Sequence, residues 1–317
     1  MRVLAIGGTG FIGQQVVRLL LEHGHEVGVF HRGESASVPE GARSIPGDRD
    51  RLNDSSAEVA RFRPEVVLDA ILYTEQQARE MVQAFRGRVR RLIVLSSADV
   101  YRNYDGFRGK ATAPPDAVPL TEDAPLRETR YPYRGKDLPF AYADDYDKIL
   151  VEQVMLGEPE LASTVLRLPA VYGPGDRQHR LREYLRRMAD ARATLVLSEV
   201  QASWHWTRSF VGNVAAAVAL AVTDPRSDNH VYNVGDEPTL TEREWVERIG
   251  VAVGWRGKLG TVPAAEFRDE SDQTFDWRYE LWTDTTRLRS DLGYLQPVPL
   301  DEALRCTVAW ETSQMES

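Results

Sequence analysis

The stretch GGTGFIG, residues 7–13, follows directly on the apolar run VLAI at residues 3–6. Within it, Gly7, Gly10 and Gly13 recur every three residues. After a strand, the first glycine allows a tight turn, the second lets a phosphate approach the backbone, and the third lets a helix pack closely on the strand. The free N–H groups of such a turn and the helix dipole favour an anion. The stretch therefore predicts a dinucleotide site.

Strands and helices alternate along the first half of the chain. Apolar residues continue at helical spacing to Leu20, Gly24 is suited to end that helix, and residues 26–30 are again apolar. The motif Thr74-x-x-Gln77 opens a later helix. Continuous apolar strands separated by helices indicate a parallel sheet covered on both faces, and hence an α/β fold with a doubly wound Rossmann sheet. Further strands are predicted near residues 43–45, 66–71, 91–95 and 163–168.

Two interleaved domains are predicted. Residues 1–170 form the nucleotide-binding Rossmann domain, which also receives roughly residues 205–235. Residues 171–317 form mainly a smaller C-terminal substrate lobe. A segment of about forty residues, 102–140, is rich in proline, arginine and tyrosine and breaks the alternation, as functional or mobile segments do.

The composition is that of an ordinary globular protein. With 317 residues, of which 42% are hydrophobic, the chain can bury a sizeable core. Its formal net charge of −9 argues against general nucleic-acid or anionic-membrane binding, and no apolar run approaches the ~20 residues that cross a membrane. Cys306 is the only cysteine, so it cannot form a disulfide within the chain, and the histidine spacing indicates no metal site. We expect a cytoplasmic protein without a metal.

Six further motifs follow the glycine loop in order. They are GD at 47–48, SSADVY at 96–101, PLTEDAP at 119–125, RLPAVYGPG at 167–175, RSFV at 208–211 and YNVG at 232–235. Together with the loop, they resemble the extended short-chain dehydrogenase/reductase family, in its branch of NAD-dependent nucleotide-sugar epimerases and dehydratases. The match runs through nearly the whole chain. The resemblance implies a bound nicotinamide dinucleotide, a small-molecule substrate and a homodimer, since helix-pair dimers are common in that family.

The chain departs from this family at the catalytic helix. The family places a tyrosine four residues before a lysine on one helical face, and aligning Lys148 with that lysine puts Asp144 at the tyrosine position. An aspartate beside a lysine is already ionised, so it accepts a proton but donates one poorly. Tyr142 and Tyr146 are candidates for the missing phenol, although Tyr146 faces away unless the helix starts late. Ser97 is a further candidate, because it stands at a strand end where open sheets bind ligands. The five catalytic candidates are Ser97, Tyr142, Asp144, Tyr146 and Lys148.

The cofactor is expected along the carboxyl ends of the strands. In this fold an acidic residue closing the second strand holds the ribose of NAD, whereas an arginine accommodates the 2′-phosphate of NADP. Here Arg32 closes that strand and Glu34 stands beyond a glycine, so NADP is slightly favoured over NAD. Lys148 is expected to hydrogen-bond the nicotinamide ribose. The cofactor-binding candidates are Gly7, Gly10, Phe11, Ile12, Gly13, Arg32, Asp48, Ala70 and Lys148.

Substrate binding is assigned to arginines and aromatic residues of the later motifs. Family analogues of Arg208 contact a nucleotide-sugar diphosphate, and a planar guanidinium pairs with two oxygens at once. Tyr101, Arg177 and Trp204 complete this set of substrate-binding candidates. A basic and aromatic run in the irregular segment is suited to close over an anionic or sugar-like substrate; its members are Arg127, Arg130, Tyr131, Tyr133, Arg134 and Lys136.

These features predict an NAD(P)-dependent epimerase, dehydratase or reductase. Its substrate is sugar-like, a nucleotide sugar, or another anionic molecule with a carbonyl or hydroxyl group. Two alternatives stay open. One is a nucleotide-binding regulator whose chemistry lapsed with the tyrosine. The other is an RNA-associated protein like the chloroplast stem-loop-binding members of the family's atypical branch, which the acidic charge balance disfavours.

Overall fold

The fold is seen in a computed structural model of the chain. It describes residues 1–33, 37–138, 140–189, 194–267 and 275–315, and the side chains of residues 53–56 are outside the description. The strands within these residues are β1 (Arg2–Ile6), β2 (Glu26–His31), β3 (Arg43–Pro46), β4 (Val66–Asp69), β5 (Arg91–Ser97), β6 (Ala162–Leu168), β7 (Ala170–Tyr172), β8 (Thr194–Ser198), β9 (Arg208–Phe210), β10 (Val231–Asn233) and β11 (Lys258–Val262).

The helices alternate with these strands. They are α1 (Phe11–Glu22), α2 (Ser56–Phe62), α3 (Glu75–Phe85), α4 (Arg102–Phe107), α5 (Lys148–Leu156), α6 (Arg182–Ala189), α7 (Glu199–Ser203), α8 (Val211–Thr223) and α9 (Glu242–Val253), with two C-terminal helices at Thr286–Leu292 and Leu300–Met315. Short 3₁₀ helices lie at Arg49–Ser55, Ala98–Val100, Pro225–Ser227 and Ala264–Glu266.

Seven strands form one parallel sheet in the order β10-β6-β5-β4-β1-β2-β3. Helices α1 and α8 cover one face, where Val16 and Val218 belong to the same buried cluster. Helices α3 and α5 cover the other face, where Met81 and Met155 are buried. Both faces of the sheet are therefore apolar and covered, which confirms the predicted doubly wound Rossmann fold.

A smaller cluster of elements follows β6. Strands β8 and β11 pair in parallel, and α6, α9 and the helix Leu300–Met315 pack around Trp245 and Ile249. The segment 205–235 leads back to the sheet, because β9 pairs with β7, α8 packs on α1, and β10 joins the edge of the sheet beside β6. The predicted boundary between the two domains at residue 170 stays a prediction.

Local signals in the sequence explain several element ends. Thr74 caps α3 and Gln77 reciprocates, as the motif predicted, while β4 ends at Asp69 rather than near residue 71. Part of the segment predicted to be irregular forms the short helix α4. Among the described residues, no helix is long and apolar enough to cross a membrane.

Candidate active site

The glycine loop joins β1 to α1. Gly7 has a left-handed backbone, with φ of 78°, and a Cβ on Gly13 would lie 2.2 Å from the carbonyl oxygen of Gly7. Only glycine at both positions permits this close approach of helix to strand. Gly10, the N-cap of α1, makes no side-chain cap hydrogen bond, and the first turn carries no acidic side chain, so the N–H groups and the positive end of the helix dipole are available to an anion.

The end of β4 borders this loop. The Ala70 N–H donates to Ile6 O at 3.0 Å, and the Ala70 methyl group lies 3.4 Å from where a Cβ on Gly7 would stand. Asp69 is fully buried and accepts from Arg49 Nε at 2.8 Å. The ends of β3 and β4 are thus tied together beside the loop, which places the predicted cofactor residue Ala70 next to Gly7.

Arg32, Asp48 and Tyr142 lie near one another at the ends of β2 and β3. The Tyr142 hydroxyl donates to Asp50 Oδ2 at 2.8 Å. Burial and this hydrogen bond raise the pKa of Tyr142, and the charges of Arg32 and Asp48 also act on it. The hydroxyl of Tyr142 therefore points toward the β2–β3 end of the site rather than toward Lys148. Glu34 lies outside the described residues.

Lys148 is the first residue of α5. Asp147 is the N-cap of this helix and accepts from the Ile149 N–H at 3.0 Å. The Lys148 ammonium is buried and donates to Leu72 O at 2.6 Å and to Leu95 O at 2.8 Å. Because burial disfavours the charged form, it lowers the pKa of Lys148 to about 8. The lysine thus bridges the ends of β4 and β5.

An ion pair without solvent exposure fixes the start of α5. Arg127 Nη2 lies 3.0 Å from Asp147 Oδ1, and both side chains are fully buried. Arg127 Nε also donates to Asp99 O at 3.0 Å, and the Tyr131 N–H donates to Asp147 Oδ2 at 2.8 Å. The expectation that Arg127 belongs to a run that closes over substrate is wrong, because its guanidinium is buried and bonded to Asp147 and to the main chain of Asp99.

Tyr146 stands just before α5 and next to Lys148. The sequence predicted that Tyr146 would face Lys148 only if the helix started late, and α5 does begin at Lys148. The Lys148 ammonium lies 5.9 Å from the centre of the Tyr146 ring. The Tyr146 hydroxyl donates to Asp99 Oδ2 at 2.8 Å, and the Tyr133 hydroxyl donates to the same oxygen at 3.2 Å. Burial raises the pKa values of both Tyr146 and Asp99. A phenol, a lysine and a buried carboxyl group are therefore brought together.

Asp144 does not join this group. It lies in a turn four residues before α5, is exposed, and its carboxylate accepts from the Gly135 N–H at 2.8 Å. The shared helical face expected for Asp144 and Lys148 is absent because α5 starts only at Lys148. Ser97 does lie at the site, at the end of β5, where its hydroxyl accepts from the Asp99 N–H at 3.1 Å.

Two residues of the site were missed from the sequence. Tyr73 follows β4, and its ring centre lies 4.8 Å from the Lys148 ammonium and 4.9 Å from the ring centre of Phe140. Burial raises the pKa of Tyr73 to about 12. Asp99 is the second. Both stand just beyond a predicted strand end, so the rule that selected Ser97 could have found them.

Tyr101 is placed away from any opening. Its hydroxyl donates to Asn233 Oδ1 at 2.6 Å and accepts from Arg167 Nη1 at 3.0 Å. Arg167 is in turn paired with Glu152 at 2.8 Å, and Tyr101 is 1% exposed. The Tyr101 hydroxyl therefore serves a buried network between β5, β6 and β10, and the assignment of Tyr101 to substrate contact stays a prediction.

Trp204 and Arg208 are also enclosed. Trp204 donates from Nε1 to a backbone carbonyl at 2.9 Å and is 3% exposed. Arg208 pairs with Glu242, and its guanidinium lies 4.9 Å from the ring centre of Trp206 and 4.7 Å from that of Trp245. Trp204 is thus packed inside the protein and Arg208 is held by Glu242, and their assignment to substrate contact stays a prediction. The fourth candidate, Arg177, is exposed, and its charge acts on Tyr73, so it lies beside the site.

The described part of the chain contains no group of three or more histidine, cysteine, aspartate or glutamate residues arranged to hold a metal ion. A glycine turn at the end of β1, with a lysine, a phenol and a serine at neighbouring strand ends, defines a dinucleotide-binding protein of the Rossmann class. Residues 3–235 match the NAD dependent epimerase/dehydratase family, and the chain belongs to this family. The resemblance stated from the motifs is thereby confirmed.

Relatives with a named activity include reductases, epimerases and a dehydratase. The chain is 29% identical over 299 residues to the 2′-dehydrokanamycin reductase of Streptomyces kanamyceticus, covering 87% of this chain and 77% of that protein. It is 26% identical to the 2-alkyl-3-oxoalkanoate reductase of Stenotrophomonas maltophilia, covering 96% and 98%. The predicted enzyme class is confirmed, and the comparisons lend no support to a lapsed regulator.

Solved structures share the fold over the whole chain. The Bordetella bronchiseptica enzyme WbmG in complex with NAD is 17% identical with a TM-score of 0.71, covering 99% of this chain and 94% of that one. The UDP-glucose 4-epimerase of Thermotoga maritima, solved with UDP-glucose, is 21% identical with a TM-score of 0.67, covering 99% and 100%. At these identities the likeness establishes the fold.

Proposed function

We propose that this protein transfers a hydride at a carbonyl or hydroxyl carbon of a small molecule, with Tyr146 as the group that gives or takes the accompanying proton. The observation that carries this proposal is the late start of α5. It turns the Tyr146 phenol toward Lys148, although the position four residues before the lysine is Asp144. A phenol beside a cation is a suitable proton donor and acceptor at an oxygen.

The cofactor site fits a nicotinamide dinucleotide. The glycine loop and the first turn of α1 would hold the pyrophosphate, and Ala70 would border it. The Lys148 ammonium has three N–H donors, of which two are directed at carbonyl oxygens, and the third would hydrogen-bond the nicotinamide ribose. When bound, the dinucleotide supplies or accepts the hydride. Ser97 would hold the oxygen of the reacting substrate, since it stands at the β5 end beside Asp99.

NADP is the proposed preference. Arg32 is exposed just beyond β2 and is suited to a 2′-phosphate, while Asp48 is suited to a ribose hydroxyl. Titration calorimetry should give tighter binding of NADP than NAD. Arg32→Ala should weaken NADP binding about tenfold, corresponding to about 1.4 kcal/mol, and spare NAD. The exposed Arg18, which lies on α1, supplies the control Arg18→Ala. Equal affinities in the wild type would overturn the preference.

The proposed substrate is a sugar-like or anionic ketone, or the corresponding alcohol. The relatives named as reductases act on 2′-dehydrokanamycin and on 2-alkyl-3-oxoalkanoates, and other members are epimerases of UDP-glucose. Arg177 is the exposed cation beside the site that would meet an anionic substituent. The homodimer and the cytoplasmic location stay predictions from the sequence.

Single-turnover oxidation of the reduced dinucleotide tests this function. The carbonyl panel should contain an amino-sugar ketone, a 3-oxoalkanoate and a 4-keto nucleotide sugar. Tyr146→Phe should lower the rate at least 100-fold on the active substrate, the size of effect expected from loss of a positioned acid–base group. Tyr142→Phe and Asp144→Asn serve as controls and should stay within a few-fold of wild type.

Two results would contradict the proposal. One is wild-type protein that binds the dinucleotide but turns over no member of the panel. The other is a Tyr146→Phe variant with the wild-type rate while Asp144→Asn or Tyr73→Phe abolishes it, since the proton would then pass through a different group.

A further inference from the structure

We propose that Asp99 is a positioning residue that holds the Tyr146 hydroxyl and resupplies its proton, so that protons reach the substrate by a two-step path from carboxyl to phenol to substrate oxygen. This inference rests on the proposed function, because it takes Tyr146 as the group that meets the substrate.

The first observation is the geometry of the carboxyl group. Asp99 lies two residues beyond the end of β5 and is 3% exposed. Its Oδ2 receives the hydroxyls of Tyr146 at 2.8 Å and of Tyr133 at 3.2 Å. Its Oδ1 is buried and has no hydrogen-bond partner within the described residues. A buried oxygen without a donor is costly for a carboxylate, and protonation of the carboxyl group removes most of that cost.

The second observation is that the cations around Asp99 are engaged elsewhere. Arg127 pairs with Asp147, and Lys148 donates to two main-chain carbonyls. Arg108 donates to the Tyr104 hydroxyl at 3.0 Å. The titratable and charged groups that face Asp99 are Arg108, Arg127, Lys148, Tyr104, Tyr133 and Tyr146.

Burial is the largest influence on this carboxyl group, and it raises the pKa of Asp99 despite the hydrogen bonds from Tyr146 and Tyr133 and the charge of Arg127. Asp99 therefore exchanges a proton closer to neutral pH than an ordinary aspartate does. Because burial raises the pKa of Tyr146 well above the ordinary value, a phenolate formed when Tyr146 gives up its proton is a strong base and takes a proton from the neighbouring carboxyl group of Asp99.

In the reductive direction, the carbonyl carbon receives a hydride from the reduced dinucleotide, forming a C–H bond. The π electrons of the C=O bond form an O–H bond with the Tyr146 proton. The carboxyl proton of Asp99 then passes to the Tyr146 oxygen, leaving a carboxylate that is reprotonated from water. Oxidation of the alcohol runs through the same groups in reverse.

Asp99→Asn tests the relay, because the amide keeps the size of the side chain and an oxygen acceptor for Tyr146 but cannot exchange the proton. We expect a fall in kcat of about 100-fold with KM and dinucleotide affinity within a few-fold of wild type. In the wild type the rate of reduction should fall as the pH rises through the titration of Asp99. In Asp99→Asn this descending limb of the pH profile should vanish.

The matched control is Asp105→Asn. Asp105 is also 3% exposed, and its Oδ1 is buried without a hydrogen-bond partner among the described residues.

Tyr133→Phe separates proton supply from simple structural support. Losing this hydrogen bond removes a stabiliser of the carboxylate, so the limb of the pH profile should move to higher pH while kcat at low pH is kept. If Asp99 had only a structural role, Tyr133→Phe would not shift the pH profile. An Asp99→Asn variant with the wild-type kcat and pH profile would overturn the relay.

A readout without dinucleotide or substrate completes the test. Carbon-13 NMR of aspartate carboxyls in the free protein should show one group that titrates above the ordinary range, that disappears in Asp99→Asn, and that moves up in Tyr133→Phe and Tyr146→Phe. Asp105→Asn should leave it in place. If the wild type turns over nothing, the proposed function fails, and this titration still decides Asp99: a carboxyl titrating in the ordinary range overturns the inference, and an elevated one that responds to both tyrosines supports it.

Discussion

Removal of Asp147 should destabilise this protein far more than removal of any exposed carboxylate nearby. Its carboxylate is fully buried against Arg127 at 3.0 Å, accepts from the Tyr131 N–H at 2.8 Å, and caps α5 through the Ile149 N–H at 3.0 Å. Asp147→Ala therefore removes a helix cap and leaves a buried guanidinium unpaired.

The size of this effect follows from the two losses. Breaking a buried ion pair by removing one partner costs about 3–5 kcal/mol, and losing an N-cap costs about 1 kcal/mol. We expect Asp147→Ala to lower the free energy of unfolding by about 4–6 kcal/mol in urea titrations followed by tryptophan fluorescence. Asp147→Asn keeps a capping side chain, so it should cost about 1 kcal/mol less than Asp147→Ala.

The control is the neighbouring pair of Arg134 and Asp145, which are 3.5 Å apart with side chains 55% and 77% exposed. Asp145→Ala should change the free energy of unfolding by at most about 1 kcal/mol. In a double-mutant cycle, Arg127→Ala combined with Asp147→Ala should cost less than the sum of the two, because no unpaired charge remains. Equal effects of Asp147→Ala and Asp145→Ala, or strict additivity in the cycle, would refute this reasoning.

Three other outcomes are expected. Gly13→Ala should lower the free energy of unfolding, measured in urea, by about 1–3 kcal/mol or more, because its Cβ would lie 2.2 Å from the carbonyl oxygen of Gly7. Gly10→Ala should lower it by less, because its Cβ would lie 3.3 Å from the same oxygen. Burial lowers the pKa of Lys148 to about 8 in the folded protein, so between pH 8 and the ordinary lysine pKa the unfolded state binds more protons than the folded state. The free energy of unfolding of the wild type relative to Lys148→Met should therefore rise with pH in this range, by at most about 1.4 kcal/mol per pH unit. A difference that does not change with pH would contradict the buried ammonium. Glu242→Ala leaves a buried arginine unpaired and should cost about 3–5 kcal/mol, whereas Glu247→Ala, in an exposed pair, should stay within about 0.5 kcal/mol.

The sequence reveals the Rossmann sheet because its signals are local. The spacing of Gly7, Gly10 and Gly13 reflects contacts within one turn, and the apolar runs are long enough to be buried on both faces. The capping motif at Thr74 likewise acts within four residues, and its capping box is present in the structure. Patterns of this kind need no knowledge of distant contacts.

The arrangement of the candidate site around Lys148 depends instead on contacts between distant residues. Whether Tyr146 faces Lys148 depends on where α5 begins, and that point is fixed by Asp147, whose partner Arg127 lies twenty residues earlier in a segment without a regular pattern. The alignment of Asp144 with the family tyrosine assumes a helix that already includes residue 144. Counting residues backward from the lysine therefore selects Asp144, a side chain that the structure places away from Lys148. The burial of Arg208 between Trp206 and Trp245 likewise depends on α9, which follows it in the chain by more than thirty residues.

The same network explains how a phenol stays beside the lysine without the usual spacing. On a helix, a side chain two residues before Lys148 points about 200° away from it. Asp147 has an extended backbone, with φ of −156°, so Tyr146 is released from the helical rotation and turns toward Asp99 and Lys148. The buried pair of Arg127 and Asp147 holds this backbone conformation against continuation of the helix. Loss of the pair should therefore displace the phenol as well as destabilise the protein, and Asp147→Asn, which keeps the cap but not the charge, should lower kcat more than its cost in stability alone predicts.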